Sequence, residues 1–232
     1  VTGQKLVLRI NTGSQMHLEN QIGYEYAALQ ALAPCGRTPR PFCCWPERSM
    51  LVMEWLPGRA LDYTTDLDIA AQILADIHCA PVPENCHLLR PRYPALAIYE
   101  ECLEMVRHYF EWPEADPEVC DLLHQLVDEI GNLPLNGPSD APVCMVNTEL
   151  NSGNFLIDGE NSHLVDWEKP LLSEPAQDLG HFLAPTTTFW KTDVILAPQQ
   201  VRDFTAKYIE AVAGRMDCSS LSHRLPLFFT VT

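Results

Sequence analysis

The hydrophobic and polar positions of this chain change period several times, and each change marks an element. Residues 5–10, KLVLRI, form a β-rich aliphatic run around one arginine and predict a strand. NTGS at 11–14 breaks it. From residue 16 the apolar side chains Met16, Ile22, Tyr26, Leu29 and Leu32 recur near helical spacing, with Ser14 placed to cap the helix. Residues 34–41 are a proline-bounded loop. PFCCW at 41–45, the turn PERS and MLVMEW at 50–55 predict an antiparallel hairpin, and LPGR stops its second strand.

Beyond Gly58 the pattern becomes helical. Residues 67–80 carry Ile69, Ile73, Leu74 and Ile77 on one face, and the proline-rich APVPEN ends that helix. Residues 93–110 and 117–133 predict two more helices. Two short strands follow, NFLID at 154–158 and HLVDW at 163–167. PAQDLGHFLAP opens another helix, and PQQVRDFTAKYIEAVAG at 198–214 is the last. The chain ends in an apolar segment, LPLFFTVT, expected to be an exposed tail that needs a partner or further chain. There is no internal repeat and no low-complexity tract. The class is α+β: a small β-rich N-terminal lobe over residues 1–57, and a larger helical lobe over 58–232 with a hairpin embedded in it. A cleft between two such lobes is where a small ligand would bind.

Composition narrows the partners. With 15 Lys plus Arg against 31 Asp plus Glu, the formal net charge is −16, which repels phosphate backbones and argues against nucleic acid. It suits neutral or cationic partners, or simply solubility. No run approaches the roughly 18 apolar residues of a membrane span, and the start of the sequence does not read as a secretory leader. The nine cysteines include no CxxC pair and no zinc spacing. They predict small, mostly buried thiols in a reducing cytoplasm. Oligomeric state is not legible.

Candidate chemistry gathers around NTELNSGNFLID at 147–158 and DWEKP at 166–170. Asp158, Gly159, Glu160 and Asn161 are turn residues. In a register centred on Glu160, Asn154 faces Asp166, with Cβ atoms about 4.5–5.5 Å apart. Two hard oxygen donors at that distance suit Mg²⁺, which is usually held by one or two protein oxygens plus phosphate oxygens. Glu149 lies on the loop feeding the same end and is placed to accept a proton from a hydroxyl. The competing reading is a structural hairpin whose Asn and Asp cap the turn.

The stretch NTELNSGN, then LVDWE, then EPAQDL resembles the aminoglycoside phosphotransferase and choline kinase family. That family has the protein-kinase-like fold, with H-G-D-x-x-x-x-N, I-D-F/W-E and D-P-A-x-D-L in these places. The resemblance extends over roughly residues 5–212. It implies transfer of the γ-phosphate of ATP (or GTP) to a hydroxyl of a small, possibly cationic molecule. Glu149 then stands at the catalytic-base position, with Asn154 and Asp166 as Mg²⁺ ligands. Asn147 stands in place of the family's His. Asp178 matches the acidic residue that braces the catalytic loop, or else it caps a helix. Arg9 falls at the phosphate-pairing position and Glu25 at its acidic partner's, a pair that could equally be a surface ion pair. LVMEWLPG resembles the hinge strand, where backbone groups of Glu54, Trp55 and Leu56 would meet adenine, although Trp55 could be plain core. His78, in AAQILADIH, reads as structural. The segment 184–193, with Thr188, Trp190 and Lys191, is either a wall of the acceptor pocket or an ordinary polar loop.

Three departures stand out. The family's catalytic Asp is replaced by Glu149, and a misplacement of about 1 Å could cost on the order of 10²-fold in rate. An Arg stands where a Lys is usual, so the same charge arrives as a planar fork. No glycine-rich loop precedes KLVLRI. These departures keep open a second expectation, a weak or inactive pseudokinase that binds nucleotide as a sensor or scaffold.

Overall fold

The computed structural model describes residues 3–14 and 16–232. Its N-terminal part is one antiparallel sheet and one helix. Strands β1 (Leu6–Ile10), β2 (Pro41–Trp45) and β3 (Met50–Glu54) lie in the order β1-β3-β2. The register puts Arg9 opposite Leu51 and Leu8 opposite Val52. Alternation along β1 turns Val7 and Arg9 inward and leaves Leu6, Leu8 and Ile10 exposed.

Helix α1 (Gln21–Leu32) packs on β2 and β3 through Ile22, Glu25, Leu29 and Leu32, an i, i+3, i+7, i+10 face. Its cap is Asn20, whose side chain accepts from Gly23 N, and not Ser14. Ser14 Oγ instead accepts from Leu18 N and donates to Gln21 Oε1. The helix therefore begins five residues after Met16. Trp55, just past β3, is exposed with Lys5 Nζ 4.5 Å from its ring centroid, so it is not core.

The larger part is helical: α2 (Leu67–His78), α3 (Pro94–Phe110), α4 (Pro117–Gly131), α5 (Pro175–Leu183), α6 (Pro185–Lys191), α7 (Pro198–Val212) and α8 (Leu221–Val231). Helix α2 buries Ile73, Leu74 and Ile77 and packs along α7. Two small antiparallel ladders are set into this part. One joins β4 (Cys144–Val146) to β7 (Leu171–Ser173); the other joins β5 (Phe155–Leu156) to β6 (His163–Leu164). The first ladder, α6 and α8 were not expected from the sequence. Among the described residues no helix is long and apolar enough to cross a membrane.

The expectation of an exposed apolar tail is corrected here. Helix α8 lies against α5 and buries Leu221, Leu225, Phe228 and Val231. The approach is so close that a Cβ on Gly180 would fall 2.7 Å from backbone and side-chain atoms of Phe228. A buried fork fixes the angle: Arg224 Nε and Nη2 donate to Glu174 Oε2 and Oε1 at 2.7 and 2.6 Å. Glu174 is the residue before α5. The pair holds the start of the helix that, four residues on, carries Asp178.

Candidate active site

The loop over residues 147–154 begins where β4, buried at all three positions, delivers Asn147 into the interior. Two backbone donors there, Asn147 N and Thr148 N, reach Asp178 Oδ2 and Oδ1, each at 2.9 Å. Asp178 is completely buried, lies inside α5 and does not cap it. Behind it, His78 Nε2 lies 3.2 Å from Oδ2, and His78 Nδ1 lies 2.9 Å from the Tyr208 hydroxyl. The tautomer protonated on Nε2 satisfies both contacts. Asn147 in turn donates through Nδ2 to Asp166 O at 2.9 Å, while its Oδ1 accepts from Glu149 N at 3.1 Å. Where the family has His, this chain has an amide that ties the Glu149 loop to the Asp166 turn from both ends.

Beyond that tie the expected register needs correcting. Phe155 pairs with Leu164 and Leu156 with His163, so Asn154 faces Val165, whose N–H donates to Asn154 O at 2.8 Å. The strands are two residues long because Ile157 leaves the hairpin to bridge with Arg59. Asp166 follows in the left-handed region, at φ 64°, a conformation that Asp adopts more readily than most residues. This twist brings Asp166 back toward the loop. Asn154 Nδ2 donates to Glu149 O at 2.7 Å, which leaves Oδ1 as its remaining polar atom. Both residues line the same cleft.

Carboxylate oxygens of Glu149, Asp166 and Glu168 all lie within 4.8 Å of one another. Glu168 was not singled out from the sequence. In the structure Trp167 is buried while its neighbours Asp166 and Glu168 are half-exposed. The three carboxylates are an all-oxygen donor set of the kind Mg²⁺ takes and fit that ion, and Asn154 lines the same cleft.

Arg9 spans the cluster. Its Nε lies 3.1 Å from Glu25 Oε2, Nη1 donates to Asp166 Oδ1 at 2.8 Å, and Nη2 pairs with Glu168. Three nitrogens spread over a planar fork meet three carboxylates, a span that the single nitrogen of an ammonium does not cover. Arg9→Lys is therefore expected to destabilise the protein by about 1–2 kcal/mol, measured by urea denaturation, despite restoring the family's usual residue. An unchanged midpoint would show that the fork contributes nothing. Helix α1 is latched to the same segment: Gln21 Nε2 donates to Glu168 O, and the Tyr24 hydroxyl donates to Pro170 O at 2.6 Å.

Glu25 itself is buried, and burial, opposed by Arg9, pushes its carboxyl up to about 7; Asp166 and Glu168 push the same way. In the unfolded chain it titrates near 4.5. Between these values the native state holds a proton that the unfolded state has lost, so stability falls as pH rises from about 4.5 to about 7. Glu25→Gln is expected to remove that slope and to be more stable than the parent at pH 8. Parallel denaturation curves for the two proteins from pH 5 to 8 check it; equal slopes would refute the assignment.

Around the cluster opens a cleft of about 1280 Å³. Acidic residues Glu101 and Glu104 of α3 join Glu149, Asp166 and Glu168 on its walls, against Lys169 and Lys191. Of the expected wall residues, Trp190 and Lys191 line it. Thr188 does not; it is fully buried, and Thr186 and Thr187 take the lining positions. Burial pushes Glu149 above the ordinary carboxylate range, while Lys169 acts against that shift. The hinge candidates Glu54, Trp55 and Leu56 are not among the residues lining this cleft, and Glu54 N is already committed to Arg40 O at 2.9 Å.

The sequence matches the family model described as phosphotransferase enzyme family over residues 1–215. The chain belongs to that family. Members of the same fold are among the solved structures similar to it. The choline kinase LicA from Streptococcus pneumoniae is 17% identical, with 99% of this chain and 76% of that chain covered at a TM-score of 0.64. An ethanolamine kinase from Plasmodium vivax is 13% identical, with 98% and 67% covered at 0.66. A spectinomycin phosphotransferase, solved with ADP and spectinomycin, is 14% identical, with 98% and 72% covered at 0.59. These likenesses establish the kinase-like α+β fold. No curated protein sequence matches the chain significantly.

Proposed function

We propose that this protein transfers the γ-phosphate of ATP to a hydroxyl group of a small cationic molecule. The observation that carries the reading is the convergence of Glu149, Asp166 and Glu168 in an acidic cleft that Asn154 also lines, in a chain of this family. In the reaction the acceptor oxygen forms a bond to the γ-phosphorus as the bond to the bridging oxygen of ADP breaks, and the hydroxyl proton passes to a Glu149 carboxylate oxygen. Burial favours that step because it makes Glu149 a stronger base than an exposed carboxylate. Asn154 and Asp166 would hold Mg²⁺, with Glu168 close to Asp166, and a bound ion would supply positive charge against the phosphates. Arg9, oriented by Glu25, pairs the phosphates. Asn147 and Asp178 hold the loop.

The acceptor's charge follows from the walls. Glu101 and Glu104 add to the acidic cluster, and the exposed Trp190 ring already carries a cation, Lys191 Nζ, 4.0 Å from its centroid. A quaternary or primary ammonium would find the same ring face and the same carboxylates. Choline and ethanolamine, the substrates named for two similar structures, are the first acceptors to try, followed by an aminoglycoside.

A thermal-shift titration with ATP, with and without Mg²⁺, is the first test. The expected result is an upward shift that grows with Mg²⁺, by about 4–8 °C if nucleotide stabilises by a few kcal/mol and the domain behaves like one of ordinary size. No shift in either condition sinks the nucleotide reading. Binding without turnover of any hydroxyl compound in a broad panel favours instead a nucleotide-binding protein that has lost catalysis.

A further inference from the structure

We infer that Lys169 is the positioning residue that holds the Glu149 side chain in its productive place, and so adapts the site to a glutamate where the family motif has an aspartate. The inference rests on the phosphotransferase reading above. Lys169 Nζ lies 3.2 Å from Glu149 Oε1 and 3.8 Å from Glu101 Oε1 of α3. The Lys169 and Glu149 side chains are only 22% and 24% exposed, so their attraction is screened less than that of a surface pair.

A glutamate carries one more rotatable bond than an aspartate, and each extra rotor gives the carboxylate another set of positions. Something must select one of them. The loop backbone does not: Asn147 Oδ1 fixes only Glu149 N, and Asn151 and Asn154 fix only Glu149 O. Lys169 reaches the carboxylate itself. Its own backbone is tied to the loop, because Thr148 Oγ1 donates to Lys169 O at 2.9 Å. The backbone that carries the ammonium is thus tied to the same loop as the residue it holds. Its second partner, Glu101, lies on a different element, at the longer distance of 3.8 Å. Phosphoryl transfer depends on positioning more than on proton-transfer strength, which makes this a role of large consequence.

The test is a cycle between Lys169→Met, which keeps the apolar stem and removes the charge, and Glu149→Gln. With choline or ethanolamine as acceptor, Lys169→Met is expected to lower kcat on the order of 10²-fold, with the KM for ATP within about twofold. In the Glu149→Gln background the same change should cost nothing further, since there is no carboxylate left to place. Lys169→Arg should recover part of the loss. Multiplicative losses in the double variant would overturn the inference, because Lys169 would then act independently of Glu149. A crystal structure of Lys169→Met supplies a readout that needs no turnover: Glu149 is expected to leave its position, and an unmoved carboxylate overturns the inference. Absence of turnover in the parent protein counts against the phosphotransferase reading, and the structure of the variant still decides this one.

Discussion

Asp178→Ala is expected to destabilise the protein by about 3–5 kcal/mol and to abolish phosphate transfer. Three donors converge on this fully buried carboxylate: Asn147 N, Thr148 N and His78 Nε2. Alanine leaves all three without that partner; Asn147 N and His78 Nε2 are buried, and each buried orphan carries a desolvation penalty of about 1–3 kcal/mol, while Thr148 is half-buried at the cleft wall. The loss is local to the site as well as global. Thr148 sits at φ 68°, a conformation unfavourable for a β-branched residue and held here by the Asp178 and Lys169 contacts on either side of it. Freed from Asp178, the loop relaxes, and Glu149 goes with it. Asp178→Asn is the control. It keeps the volume and one acceptor oxygen but turns an amide N–H toward a backbone N–H, so it should fall between the parent and alanine. Urea denaturation gives the order directly. An alanine variant within 1 kcal/mol of the parent would mean that the loop has another support.

This brace was legible in the sequence only as a motif, because nothing in local periodicity links residue 178 to residue 147. Much else was readable from local pattern. Strands β1 to β3 and helices α1 to α5 and α7 follow from apolar spacing and turn residues, and the two-lobed α+β class follows from their order, whereas the kinase-like fold rests on the motif resemblance. The misses have physical causes. Pro185 reads as a break but sits at the first turn of α6, where its absent N–H is no loss. Pro226 inside LPLFFTVT argues against a helix, yet the packing of Phe228 on Gly180 and the Arg224–Glu174 fork outweigh it. The hairpin was found from Asp158 and Gly159, but its register was off by one: Ile157 pairs outside the hairpin with Arg59, a partner a hundred residues away that no local rule could supply. The same limit hid Lys169, since its meaning depends on where α3 places Glu101.

Asp166→Asn is the substitution expected to separate binding chemistry from folding most cleanly. Asparagine tolerates the left-handed backbone at this position, keeps an oxygen for Arg9 Nη1, and leaves the backbone carbonyl that accepts from Asn147 in place. Alanine would add backbone strain and blur the result. What asparagine removes is one negative charge from the cluster of Glu149, Asp166 and Glu168. Stability without nucleotide should therefore change by less than about 1 kcal/mol, since the Arg9–Asp166 pair is partly exposed and screened. Turnover should fall on the order of 10³-fold or more, because the proposed Mg²⁺ site would lose one of its three clustered anions. The Mg²⁺-dependent part of the ATP thermal shift should disappear, while the Mg²⁺-independent part should remain. The alternative has a different signature. If Asp166 serves mainly as a counter-ion to Arg9, Asp166→Asn will leave the Mg²⁺ dependence intact and lower affinity equally in both conditions. That result would move the metal to Glu168 and Glu149 and would leave Glu149 unable to serve as the base.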